Sequence, residues 1–115
     1  MQSTHFKARA REIVSQLANL SKNQPKVMGA FHQLTQNATK EGALDKKTKE
    51  MIALGIAIAT RCDDCIAIHV QSLVKLGLTQ SELEEVVTTA LYMGGGPALM
   101  YGTHALEAFK QFSED

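Results

Sequence analysis

Apolar residues recur at three- and four-residue spacing along most of this 115-residue chain, and that period constrains the fold more than any other feature. The first such stretch, residues 4–20, predicts an amphipathic helix. Helix-breaking or helix-starting residues separate the later stretches, at Pro25, Gly42, Gly77 and residues 94–96. No alternation of polar and apolar residues is long enough for a strand. The sequence therefore predicts an all-α fold of about six helices, without internal repeats.

The third predicted helix, residues 46–60, follows a plausible N-cap at Asp45 and is apolar almost all the way round. Such a helix belongs at the centre of a bundle or in a subunit interface. The second helix would bury an inner stripe, and two later methionines would fill the core; these residues are Val27, Met28, Phe31, Leu34, Met93 and Met100.

Charge and hydropathy exclude two classes of partner. Twelve Lys and Arg residues balance twelve Asp and Glu residues without a basic stripe, so we expect no nucleic-acid binding. The longest apolar run, residues 51–59, is shorter than the ~20 residues a membrane-spanning helix needs. Residues 1–7 lack the apolar core of a signal peptide, which predicts a cytoplasmic location. There, a lone cysteine pair is more often catalytic or metal-binding than structural.

The only two cysteines are Cys62 and Cys65, and His69 follows one turn later. If a helix begins near Cys62, the three side chains share one helical face. Two thiols beside an imidazole suit dithiol–disulfide chemistry with an acid/base group. A helix N-terminus favours the thiolate by about 0.5–1 kcal/mol. Arg61 would add to this preference, whereas the two aspartates between the cysteines would oppose it.

Other interpretations of these residues stay open. Cys62, Cys65 and His69 could bind zinc, although a closed structural site needs a fourth ligand. The cysteines could also be inert core residues, or form a structural disulfide that constrains little chain. The remaining histidines, His5, His32 and His104, are more typical of satisfied core or interface residues. The Gly-Gly-Gly-Pro segment at residues 94–97 is more typical of a tight corner than of an anion cradle.

Glu50 is the only acidic residue of the third helix after its first turn. Taken alone, such a residue is expected at a solvated edge. Together with a downstream histidine, it could form a buried relay in which its carboxylate orients His69.

Glu50, the Cys-Asp-Asp-Cys segment, His69 and the Gly-Gly-Gly-Pro-Ala corner together resemble the carboxymuconolactone decarboxylase/alkylhydroperoxidase (AhpD-like) superfamily. The resemblance covers about residues 44–109. It implies a single all-α domain over residues 1–115, with residues 1–43 as an N-terminal helical extension. It also implies a homo-oligomer, either a trimer or a hexamer.

The cysteine pair places the resemblance in the alkylhydroperoxidase branch, because the decarboxylase branch generally lacks it. This branch implies a thiol-dependent peroxidase or disulfide reductase with Glu50, Cys62, Cys65 and His69 as catalytic residues. We expect no cofactor: the redox-active group would be the Cys62–Cys65 disulfide, which a lipoylated or thioredoxin-like protein would reduce again. Asp64 stands where the best-known members have a histidine. A decarboxylase-like lyase, another small-molecule enzyme, and a non-catalytic redox or zinc module are the alternatives.

Overall fold

A computed structural model describes residues 5–114, which form six α-helices and no strand. The helices are α1 (Phe6–Asn23), α2 (Pro25–Thr39), α3 (Lys46–Ala59), α4 (Asp63–Lys75), α5 (Gln80–Gly94) and α6 (Gly96–Ser113). The predicted all-α class with six helices is confirmed. Thr4, the predicted start of the first helix, lies outside the described residues. None of these six helices is both long and apolar enough to cross a membrane.

Local capping chemistry sets several helix starts. The Asp45 carboxylate accepts a hydrogen bond from the Thr48 backbone N–H at 2.7 Å, which caps α3. Hydrogen bonds from the Thr48 side chain and from this backbone N–H lower the pKa of Asp45. Thr79 and Glu82 form a reciprocal capping box at the start of α5. Pro25 occupies the first turn of α2, where its missing N–H is not needed.

The core lies among α3, α4, α5 and α6, with the first two turns of α1 packed against α4 and α6. The Phe6 backbone N–H donates to Gln111 Oε1 at 2.7 Å and fixes the start of α1 on α6. The largest fully buried side chains are Phe6, Leu54, Ile58, Ile66, Val70, Leu73 and Leu83. Burial of such side chains supplies most of the free energy of folding.

Much of the apolar surface of α1, α2, α3, α5 and α6 stays exposed in the single chain. Helix α2 packs only on α1 and α3 and buries no residue, so the prediction of an inner stripe on α2 is wrong for the single chain. Met93 and Met100 are also exposed rather than core-filling. The exposed large apolar side chains on these helices are Val14, Leu17, Leu20, Val27, Phe31, Leu34, Ile52, Ile56, Tyr92, Met93, Leu99 and Met100. The helical period identifies residues that share a face, but not what covers that face.

Helices α5 and α6 approach closely at Gly102, where an added Cβ would lie 2.6 Å from Cγ1 of the buried Val87. Gly102→Ala should therefore lower the free energy of unfolding by about 1–3 kcal/mol through overpacking. Gly29→Ala in α2 is the matched control, because a Cβ there meets nothing within 4 Å. The control should be neutral or stabilising by up to about 1 kcal/mol. Urea denaturation at one protein concentration measures the free energy of unfolding of both variants. Equal values for Gly102→Ala and Gly29→Ala would contradict the close packing at Gly102.

Candidate active site

The corner between α3 and α4 positions the first cysteine through two helix ends at once. Arg61 has a left-handed backbone (φ 61°), and its N–H donates to the Ile58 carbonyl at 3.1 Å. The Cys62 N–H donates to the Ala57 carbonyl at 3.0 Å, completing a Schellman motif at the end of α3. Cys62 is also the N-cap of α4, and its Sγ accepts from the Cys65 N–H at 3.2 Å. Both neighbouring helices therefore fix its backbone.

Cys62 and Cys65 are joined by a disulfide, with their Cα atoms 5.2 Å apart. Both residues are half-buried, and Cys65 packs against the hydrophobic core. The chain is thus in an oxidised form, with the disulfide at the N-terminal end of α4.

Glu50 of α3 is buried, with only 6% of its surface exposed, and its Oε1 lies 3.1 Å from Nδ1 of His69. The alternative of a solvated edge is therefore wrong, because a buried carboxylate needs a partner and His69 provides one. His69 follows Cys65 by one helical turn, so the two side chains lie on the same face of α4. Since Glu50 engages Nδ1, the Nε2 atom is the ring nitrogen left for proton exchange.

The two aspartates between the cysteines have partners that no local sequence signal indicates. Nδ1 of His104 lies 2.6 Å from Asp63 Oδ1, and Arg9 Nη1 lies 2.6 Å from Asp64 Oδ1. The interpretation of His104 as a satisfied core or interface residue missed this contact. It joins α6 to α4 across 41 residues of sequence, so only the packed fold reveals it.

No cluster of three or more His, Cys, Asp or Glu side chains within residues 5–114 is arranged to hold a metal ion. Cys62 and Cys65, two of the three zinc ligands that the sequence allows, are joined to each other in the disulfide. The glycine segment forms a tight corner as predicted: Gly95 has φ 76° and ends α5, and α6 begins at the next residue.

A groove of about 550 Å³ lies between α3 and α5. Its walls are mainly apolar, and they include the exposed residues Ile52, Ile56 and Met93. None of Glu50, Cys62, Cys65 and His69 lines it. The groove is therefore a surface separate from the disulfide.

Comparison with known proteins fits this arrangement. The sequence profile of the Carboxymuconolactone decarboxylase family matches residues 25–108, most of the chain. The chain belongs to this family. The resemblance predicted from the Glu…Cys-x-x-Cys…His pattern is thereby confirmed at the family level.

Two solved structures of family members share the fold. A carboxymuconolactone decarboxylase family protein from Legionella pneumophila is 53% identical, with a TM-score of 0.92; the match covers 94% of this chain and 96% of that one. A family member from Thermotoga maritima, described as a candidate for involvement in an antioxidative response, is 25% identical with a TM-score of 0.71. That match covers 86% of this chain and 91% of the other.

Two relatives identified by sequence span similar lengths. An uncharacterised protein of Cupriavidus necator is 37% identical over 107 residues, covering 93% of this chain and 95% of the relative. One from Haemophilus influenzae is 35% identical over 106 residues, covering 92% and 94%. The family architecture therefore extends over nearly the whole chain.

The left-handed backbone at Arg61 generates a stability prediction. Arg61→Gly and Arg61→Ala remove the same charge, but only alanine keeps the Cβ that disfavours this conformation. We expect the glycine variant to be more stable than the alanine variant by about 1 kcal/mol. Urea denaturation of the oxidised proteins measures the difference. An alanine variant as stable as the glycine variant would contradict the corner geometry.

Proposed function

We propose that this family member is a dithiol peroxidase that reduces organic hydroperoxides, with Cys62 and Cys65 cycling between dithiol and disulfide. The observation that carries the proposal is the buried Glu50–His69 contact on the helical face that presents Cys65 one turn earlier. A buried carboxylate paired with an imidazole is a common way to orient a general base beside a nucleophile. The description of the Thermotoga maritima relative as a candidate in an antioxidative response supports the same chemistry here.

In the proposed first step, the Cys65 thiol gives its proton to Nε2 of His69, while Glu50 holds Nδ1. The Cys65 thiolate attacks the terminal oxygen of the hydroperoxide, and the O–O bond breaks. The departing alkoxide takes the proton from the imidazolium and leaves as an alcohol. Cys65 is left as a sulfenic acid, and the peroxide has accepted two electrons.

In the second step, the sulfur of Cys62 attacks the sulfur of Cys65, and the S–O bond breaks. The hydroxide takes the Cys62 proton and leaves as water, which forms the disulfide. A dithiol such as a lipoyl group or a thioredoxin-like protein then supplies two electrons and two protons. Cys62 is the proposed point of its attack, because Cys62 lies at the helix start whereas Cys65 packs against the core. The cytoplasm is the proposed location, since it maintains such reductants.

Variants of the relay test this proposal in a peroxide-consumption assay with dihydrolipoamide as reductant. His69→Ala should lower the rate by about 10²–10⁴-fold, because the thiol loses its proton acceptor. Glu50→Gln should lower it by about 10–100-fold, because the imidazole loses its orienting carboxylate. Cys62→Ser and Cys65→Ser should each abolish turnover.

His32→Ala is the matched control, since His32 is exposed on α2, and it should retain the wild-type rate. Full activity in Cys65→Ser or His69→Ala would overturn the assigned roles.

A lyase on the same scaffold would keep its activity after alkylation of both thiols. A zinc module would bind stoichiometric metal and lose it to a chelator.

We further propose that the chain assembles into a homo-oligomer, either a trimer or a hexamer. The support is the exposed apolar surface on α2, α3, α5 and α6, which includes Phe31, Ile56 and Met93. Ile56 and Met93 line the α3–α5 groove, so this surface is concave as well as apolar. Soluble monomers rarely expose large apolar patches without a partner.

Light scattering during gel filtration tests the assembly. The wild-type mass should be three or six times the 12.5 kDa of one chain. Ile56→Glu should lower the mass, because it places a charge in the buried part of the interface. Ser81→Glu adds the same side chain at an exposed position outside the groove and should leave the mass unchanged. A monomeric wild type, or an Ile56→Glu variant of unchanged mass, would contradict the proposed interface.

A further inference from the structure

Each acidic residue between the cysteines is paired with a basic side chain from a different helix. Arg9 of α1 engages Asp64, and His104 of α6 engages Asp63, both at 2.6 Å. Arginine stays protonated throughout the physiological pH range, so the Arg9–Asp64 pair keeps a constant charge. Histidine is the side chain that changes charge in that range. Like the Glu50–His69 pair beside Cys65, the Asp63–His104 pair is therefore a charge beside the cysteines that can vary with pH.

Packing holds the His104 ring in place. Its centroid lies 4.9 Å from that of Tyr101 and 6.3 Å from that of Phe6, both in tilted arrangements. The side chains of His104 and Asp63 are 37% and 25% exposed. The contact is thus supported by aromatic rings on α6 and α1, unlike a typical ion pair between two long surface side chains.

Asp63 is the direct hydrogen-bonding partner of His104, and other charged side chains of the neighbouring helices are paired elsewhere. On α1, Arg9 is engaged by Asp64, and on α6 the Glu107 carboxylate accepts a hydrogen bond from the Gln111 amide. No side chain of α3 or α5 forms a hydrogen bond or ion pair with His104 within residues 5–114. The charge on the imidazole therefore acts mainly on Asp63.

We propose that His104 is a positioning residue that controls the acidity of the Cys62 thiol through Asp63. Asp63 directly follows Cys62, so an uncompensated carboxylate there disfavours the neighbouring thiolate. A protonated His104 cancels that charge and leaves the helix N-terminus to favour the thiolate. Each cysteine thiol is then influenced by its own carboxylate–histidine pair. Glu50–His69 accepts the proton of Cys65, and Asp63–His104 controls the acidity of Cys62. This role rests on the proposed dithiol chemistry and deepens it.

The test measures the rate at which iodoacetamide alkylates Cys62 in a Cys65→Ser background, as a function of pH. His104→Ala should slow alkylation about three- to fivefold at about pH 6, because it removes a side chain able to carry a positive charge at that pH. The effect should disappear at about pH 9, because the histidine of the background protein is then neutral. Equal slowing at both pH values would show that the variant changes access to the thiol rather than its acidity, and it would overturn the proposal.

Two further variants make the result specific. His104→Gln can still donate a hydrogen bond to Asp63 but carries no charge, so it should slow alkylation as much as His104→Ala does. His104→Gln also provides the test if His104→Ala fails to fold. Adding Asp63→Asn to either variant should restore the background rate at about pH 6, since no uncompensated carboxylate remains. Failure of Asp63→Asn to restore the rate would contradict a charge effect.

The alkylation experiment uses no peroxide and no biological reductant, so it is independent of the proposed peroxidase activity. A protein that consumes no peroxide can still show the predicted pH-dependent difference, which would sustain the role of His104 and reject the peroxidase. A protein that consumes peroxide but shows no pH-dependent difference in alkylation would sustain the peroxidase and reject the role of His104. His32→Ala in the same background should leave alkylation unchanged at every pH.

Discussion

The reversal between α3 and α4 is the constraint on which the rest of the candidate site depends. The Cys62 N–H closes the last turn of α3, and the Cys62 side chain accepts a hydrogen bond from the Cys65 N–H in the first turn of α4. One residue thus belongs to both helix ends, and the left-handed conformation of Arg61 makes the turn short. Because the two helices then pack side by side, Glu50 of α3 reaches His69 of α4. The corner sets both the cysteine geometry and the carboxylate–imidazole contact.

The two carboxylate–histidine contacts of α4 differ in burial, and this difference suggests a division of labour. Glu50 is almost completely buried, so its contact with His69 is weakly screened by solvent, and loss of either partner leaves a costly unpaired group. The Asp63–His104 contact is partly open to water, so protons exchange readily and solvent screens its charge. The first contact suits a fixed orientation of His69, the proposed general base, whereas the second suits a charge that varies with pH.

Sequence patterns predict those features of this chain that arise from neighbouring residues. The caps at Asp45 and Thr79, the proline start of α2 and the shared face of Cys65 and His69 depend on spacings of a few residues. The sequence leaves the burial of Glu50 open, because α4 rather than α3 decides its environment. The all-α class and the family follow from these local signals combined with the motif.

The remaining features depend on contacts between distant segments. His104 and Arg9 meet the cysteine turn only because α6 and α1 pack on α4, and no spacing along the chain encodes those distances. The apolar period of α2 correctly groups Val27, Phe31 and Leu34, but it does not say whether their partner belongs to the same chain. In the single chain these residues are exposed, so the predicted inner stripe is wrong.

A single-turnover experiment on the wild-type protein tests the central claim most directly. The protein is fully reduced, the reductant is removed, and one equivalent of cumene hydroperoxide is added, with free thiols and the alcohol product counted together. The account predicts the rapid loss of both thiols, one alcohol per chain and an intramolecular disulfide that dihydrolipoamide reverses. Survival of both thiols, or formation of alcohol without their loss, would contradict it.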